Sequence, residues 1–157
     1  SCLVGSEMCI RDRVCFGAAD FAYAHVWLQH ILVQEPSEVR QDIYHFTKIL
    51  LLITVYEIND STLLRSTIIS TYRFLYTQKS NYQLDKLILA FLRQLTDIKN
   101  KTTLKAMFTQ LLQDLEALKQ NNFERKVFAY FDFIAWTKSK INDESFAKTI
   151  ATAKKTT

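Results

Sequence analysis

From Phe21 to Trp136 the apolar side chains return every three or four residues, and a single proline, Pro36, interrupts the rhythm. That period lines side chains up on one face of an α-helix. The only two glycines, Gly5 and Gly17, precede this stretch. A chain so poor in turn residues does not fold as an all-β protein, which consumes them at every corner. The pattern therefore predicts an all-α fold. At 157 residues, with 48% hydrophobic and 23% charged side chains, the chain is long and apolar enough for one domain with a real core.

Six helices are predicted, joined by turns short enough to force antiparallel neighbours. The first runs from about Ala19 to Val33, capped by Asp20, with Phe21, Ala24, Leu28, Ile31 and Leu32 inward. Glu35-Pro36 breaks the chain, and Ser37 caps a second helix to about Glu57, although Arg40 stands where Glu or Gln would complete a capping box. This helix is apolar on almost every side, from Ile43 and Phe46 through Ile49 to Val55, so it must be packed on two sides. Asp60 or Ser61 caps a third helix ending near Lys79, with Leu64, Ile68, Thr71, Tyr72 and Leu75 inward. The fourth spans Tyr82 to Lys99, and the fifth follows Asn100 to Thr102 and carries Leu104, Met107, Phe108, Leu111, Leu115 and Leu118. The sixth runs from Phe123 to about Ile141, and residues 143–157 are expected to form a polar tail that frays. Hairpins recur at about 40 residues, within the range of helical solenoids.

The start of the chain reads differently. Leu3 to Arg13, Leu-Val-Gly-Ser-Glu-Met-Cys-Ile-Arg-Asp-Arg, resembles a translated sequencing-library adapter, with Cys2 and Arg13 fitting the partial codons at its ends. Glu7, Arg11, Asp12 and Arg13 crowd this segment and exclude a signal peptide. The expected organisation is an artefactual, disordered segment over 1–13, a helical-repeat domain over 14–142 truncated at its N-terminus, and the tail. Truncation of this kind predicts an exposed apolar face on the first helix, where missing N-terminal helices of the same protein would pack. Cys15 is then the one cysteine outside the adapter-like segment, which points to a reducing compartment, with the cytoplasm as default location. The longest apolar run, Ile49 to Tyr56, is far short of the ~20 residues of a membrane span.

Two stretches carry a family resemblance. Ile49-Leu-Leu-Leu-Ile-Thr-Val-Tyr56-Glu-Ile-Asn59-Asp60, followed by Leu63-Leu64 and Tyr72-Arg73-Phe74-Leu75, resembles a tetratricopeptide-type hairpin. With the late run Tyr130-Phe-Asp-Phe-Ile-Ala-Trp136, the body from Asp20 to Lys140 is similar to the C-terminal helical region of bacterial tetratricopeptide-like repeat proteins. Ile53, Arg65 and Tyr72 fall where that family places small residues, so the repeat is degenerate, closer to the end of a general α-solenoid. The resemblance implies a scaffold or peptide-binding surface, without catalysis or a cofactor.

No residue pattern marks a catalytic or metal site. His25 and His30 lie about 500° apart round a helix and diverge, and His45 stands alone. The pairs Asp114 with Glu116 and Asp143 with Glu144 are too close in sequence to share a helix face. Asp132, flanked by aromatics, is expected to be partly buried and bonded to an aromatic hydroxyl or indole N–H. Cys15 has no histidine near it in sequence. Arg65, Tyr72 and Tyr76 share one face of the third helix, and with Arg73 and Arg93 they make the candidate partner-binding face, because Arg and Tyr dominate binding hot spots. The competing structural role is tyrosines lining the core with arginines snorkelling outward. The net charge of +4 is spread along the chain and lacks the dense stripe of a nucleic-acid binder. The expected function is a non-catalytic protein- or peptide-binding module from the end of a helical-repeat protein. The alternatives are a helical nucleic-acid-binding or regulatory module, or an accessory region of an enzyme whose catalytic part lies upstream.

Overall fold

The computed structural model describes residues 20–33, 41–78 and 82–155. The expectations placed on residues 1–19, including the adapter-like segment and Cys15, lie outside this set, as do the Pro36 break and the Ser37 cap. The described residues form eight helices and no strand: α1 (Phe21–Val33), α2 (Gln41–Ile58), α3 (Ser61–Gln78), α4 (Gln83–Leu95), α5 (Lys101–Lys119), α6 (Arg125–Tyr130), α7 (Phe133–Asn142) and α8 (Phe146–Lys155). The fold is all-α.

The first five helices follow the apolar rhythm. Asp20 caps α1 by accepting from the Tyr23 N–H at 3.2 Å, and Asp60 caps α3 by accepting from the Leu63 N–H at 3.0 Å. Between α2 and α3, Asn59 adopts a left-handed backbone with φ 66°, which its short polar side chain tolerates. α4 ends at Leu95, earlier than the apolar pattern suggested, because the chain turns there and Ile98 N–H donates to the Leu95 carbonyl at 3.1 Å.

α2 forms the middle of the core. Every residue from Ile49 to Val55 is buried. Its two buried threonines, Thr47 and Thr54, donate to the Ile43 and Leu50 carbonyls at 2.7 and 2.8 Å, so neither brings an unsatisfied hydroxyl inside. α1, α3 and α4 pack against α2. α7 packs on α5 and sends its aromatic side chains across to α2. Phe133 meets Phe46 with ring centroids 6.1 Å apart, and Trp136 meets Tyr56 edge-on at 6.2 Å.

The expected sixth helix is two helices. At Phe131 the backbone is extended, with φ −150° and ψ 138°. Extended backbone puts residues i and i+2 on the same side, whereas a helix would turn them about 200° apart. The break thus lets both Phe131 and Phe133 reach the core, with rings 5.0 Å apart. Asp132 is exposed and starts α7 by accepting from the Ala135 N–H at 2.9 Å. The expected burial of Asp132 beside an aromatic donor is therefore corrected: the indole N–H of Trp136 donates instead to Glu57, at 2.8 Å.

The polar tail is corrected as well. Asp143 ends α7 in the left-handed region at φ 53°, and α8 follows. Phe146 and Thr149 of α8 are buried, and the Phe146 ring stacks on Phe131 at 5.3 Å. Phe146, with Ile150 half-buried against the same core, seats a helix whose composition is otherwise small and polar.

The start of α4 is held from a distance. Tyr82, the residue before it, offers no side-chain cap. The Glu124 carboxylate, buried, accepts from the Gln83 and Leu84 N–H groups at 2.7 and 3.2 Å. The neighbouring Tyr82 and Phe123 rings stack at 4.6 Å over the same junction. Glu124→Ala strips the buried Leu84 N–H and the part-buried Gln83 N–H of their acceptor, and urea denaturation should show a loss of about 1–3 kcal/mol. Asp143→Gly should move the other way, gaining up to about 1 kcal/mol, because glycine adopts the left-handed cap without a Cβ clash.

Candidate functional site

α3 separates two surfaces. Its buried ridge is Leu64, Ile68, Thr71 and Leu75. On one flank Arg65, Ile69, Tyr72 and Tyr76 fall within a sector of about 60° at 100° per residue. Ile69, Tyr72 and Tyr76 are 53%, 51% and 78% exposed, so Tyr72 belongs to the surface and not to the inward stripe. The Tyr72 and Tyr76 rings stack at 6.4 Å. From α4, the Arg93 guanidinium lies 5.9 Å from the Tyr72 ring centre, in cation–π range. Arg65 approaches Asp97 at 3.7 Å with both side chains largely exposed, a contact worth little in water. Arg73 is exposed on the same helix. Four members of the predicted face (Arg65, Tyr72, Tyr76 and Arg93) thus come together across α3 and the end of α4. Ile69 is a member that sequence reasoning missed.

The opposite flank of α3, about 140° round the helix, carries Leu63, Ser66, Thr67 and Ser70. With Gln29, Leu32 and Val33 of α1 and Tyr44, Lys48 and Leu51 of α2, this flank encloses a cleft of about 490 Å³. Among the described residues no carboxylate lines it. Burial alone pushes the Lys48 ammonium below the usual lysine range. Its ammonium nitrogen sits 5.2 Å from the Phe74 ring centre. This cleft was not anticipated. The one available signal was Lys48 itself, the sole lysine or carboxylate between Asp42 and Glu57 of α2.

The remaining ionisable groups of the interior serve packing. His45 Nδ1 and Asp85 Oδ2 lie 3.4 Å apart, both side chains buried, with Asp85 in the first turn of α4 where the helix dipole favours a carboxylate. Glu57 accepts from Trp136 and forms an ion pair with Lys140. Burial, and secondarily the Glu57 charge, raises the Tyr56 phenol above its ordinary value. His30 is exposed and stacks on Trp27 at 5.8 Å, while the Nε2 atom of His25 is buried without a hydrogen-bond partner. The histidines therefore occupy three different settings. Among the described residues no three His, Cys, Asp or Glu side chains are grouped to hold a metal ion. Nor is any helix of the described residues long and apolar enough to cross a membrane.

No protein-family model matches this chain, and neither does any curated protein or solved structure.

The exposure of the α3 flank has a direct consequence for stability. Tyr72→Ala and Tyr76→Ala should each change unfolding free energy by no more than about 0.5 kcal/mol, as surface substitutions do. Leu75→Ala, on the buried ridge between them, should cost about 2–5 kcal/mol. A large loss from either tyrosine variant in thermal or urea unfolding would show that the ring is structural.

Proposed function

We propose that this chain is a non-catalytic module that binds another protein or a peptide, built as the end of a tetratricopeptide-like helical array. The carrying observation is the exposed row Arg65, Ile69, Tyr72 and Tyr76 with Arg93 laid over Tyr72. Large flat side chains with a polar tip bury much area at little entropic cost, and they recur with Arg at the centres of interfaces. A residue needed only for the core would be inside, and these are not.

The array reading is supported by successive pairs of helices packing along the chain, α1 on α2, α2 on α3, α3 on α4 and α4 on α5. Arrays of this kind grow by stacking apolar faces, and α1 carries an exposed apolar row of Tyr23, Val26 and Val33. The return of α7 onto α2 closes the far side and is the feature that departs most from nearest-neighbour stacking.

The chemistry of the row selects the partner: an apolar segment flanked by carboxylates, able to cover the tyrosines and pair with Arg65 and Arg93. Selection of a random displayed-peptide library on the full chain should enrich peptides that mix aliphatic residues with Asp or Glu. Their affinity should fall about thirtyfold on Tyr72→Ala, the signature of a hot spot. Failure to enrich any peptide, or equal binding to the Tyr72→Ala and Tyr76→Ala variants, would overturn the assignment.

A further inference from the structure

The cleft on the other flank of α3 has a chemistry of its own, independent of the tyrosine row. Its wall combines aliphatic side chains, Leu32, Leu51 and Leu63, with one cation, Lys48. A half-buried ammonium without a carboxylate among the described lining residues is an electrostatic deficit, because charge removed from water is costly unless paired. The floor holds a second deficit. Thr71 lines the cleft at 1% exposure, and its hydroxyl has no hydrogen-bond partner. Elsewhere on the same helix, Thr67 and Thr77 donate to the carbonyls four residues back, at 2.7 and 2.8 Å. Thr71 keeps its donor idle where the local rule would have used it. A buried donor left unmade costs about 1–3 kcal/mol.

An oxyanion answers both deficits. A single cation favours a single negative charge over the double charge of a phosphate monoester. The surrounding leucines favour a ligand whose charge is followed directly by hydrocarbon. A volume of about 490 Å³ falls within the usual range of small-molecule sites. We propose that the cleft between α1, α2 and α3 is a binding site for a small aliphatic monocarboxylate, with Lys48 holding the carboxylate, Thr71 donating to it, and Leu32, Leu51 and Leu63 taking the chain.

The test is an NMR titration of the ¹⁵N-labelled full chain with hexanoate, with hexan-1-ol as the uncharged control. Hexanoate should shift the amides around Lys48 and Thr71 with a dissociation constant of about 1 mM or tighter, the range open to so small a ligand. Hexanol should bind at least about tenfold more weakly, the loss of one charge-assisted contact. Lys48→Met should abolish the shifts and Lys48→Arg should keep them. Thr71→Val preserves the side-chain shape, so it should weaken hexanoate by several-fold without lowering the melting temperature, and it carries the test if Lys48→Met does not fold. Tyr72→Ala should leave hexanoate binding unchanged, which separates this site from the protein-binding row. Equal binding of hexanol and hexanoate, or unaltered binding to Lys48→Met and Thr71→Val, would overturn the proposal. So would acetyl-Leu-Val with a free C-terminus binding about tenfold more tightly than hexanoate, because the cleft would then be reading a peptide end.

Discussion

A helix without a solvent-facing side has to be enclosed, and the enclosure of α2 organises everything else. Ile49 to Val55 are all buried, and each fully buried Ile or Leu contributes about 1.5–3 kcal/mol of transfer free energy. Two neighbours cannot cover a full circumference. α1, α3 and α4 take three sides. The last is taken by Phe133 and Trp136 from the far end of the chain. The long return of α7 is thus the geometrical consequence of an apolar stretch that leaves no face for water. It is also why the break at Phe131 matters, since it delivers two phenylalanines in place of one.

Apolar burial is non-directional, so the register of this enclosure needs other determinants. Three buried or part-buried polar contacts supply them, and each joins elements far apart in sequence. Glu124 holds the first turn of α4, His45 faces Asp85 between α2 and α4, and Glu57 at the end of α2 receives Trp136 and Lys140 from α7. Contacts of this kind add little net stability, because desolvation offsets most of their attraction, yet breaking one leaves a buried group unsatisfied. A slip of α7 along α2 by one turn would move Trp136 away from Glu57 and leave that carboxylate without its indole donor. The polar contacts therefore act as locators, and the hydrocarbon around them supplies the bulk of the free energy.

This division explains what could be read from the sequence. The all-α class and the first five helices follow from local periodicity, and the caps at Asp20 and Asp60 follow from local chemistry. The failures are non-local. Phe123 to Ile141 has helical periodicity throughout, and only the demand of the core for both Phe131 and Phe133 breaks it. Residues 146–155 look like a tail because their main anchor, Phe146, is stabilised by a partner fifteen residues earlier, Phe131. The Glu124 cap is invisible locally, since its acceptor and its donors lie 40 and 41 residues apart. Of the surfaces, the tyrosine row was legible because it sits on one helix at helical spacing. The cleft was not, because its walls come from three.

The two flanks of α3 also differ in what they ask of the fold. The tyrosine row costs almost nothing to maintain: its rings are wet, its arginines are loosely held, and the buried ridge of Leu64, Ile68 and Leu75 anchors the helix without them. The cleft is maintained at a disadvantage. Replacing Lys48 by a leucine-like side chain and Thr71 by valine would relieve both a half-buried cation and an idle donor, at the loss of no more than the contact of Lys48 with the Phe74 ring. Structures hold such groups against their own stability when the groups do something else, since strain and perturbed ionisation gather at functional sites. By that reasoning the less conspicuous flank of α3 is the more informative one: a lysine whose ammonium meets only an aromatic face, in the same cleft as a threonine with an idle hydroxyl, is arranged for a ligand.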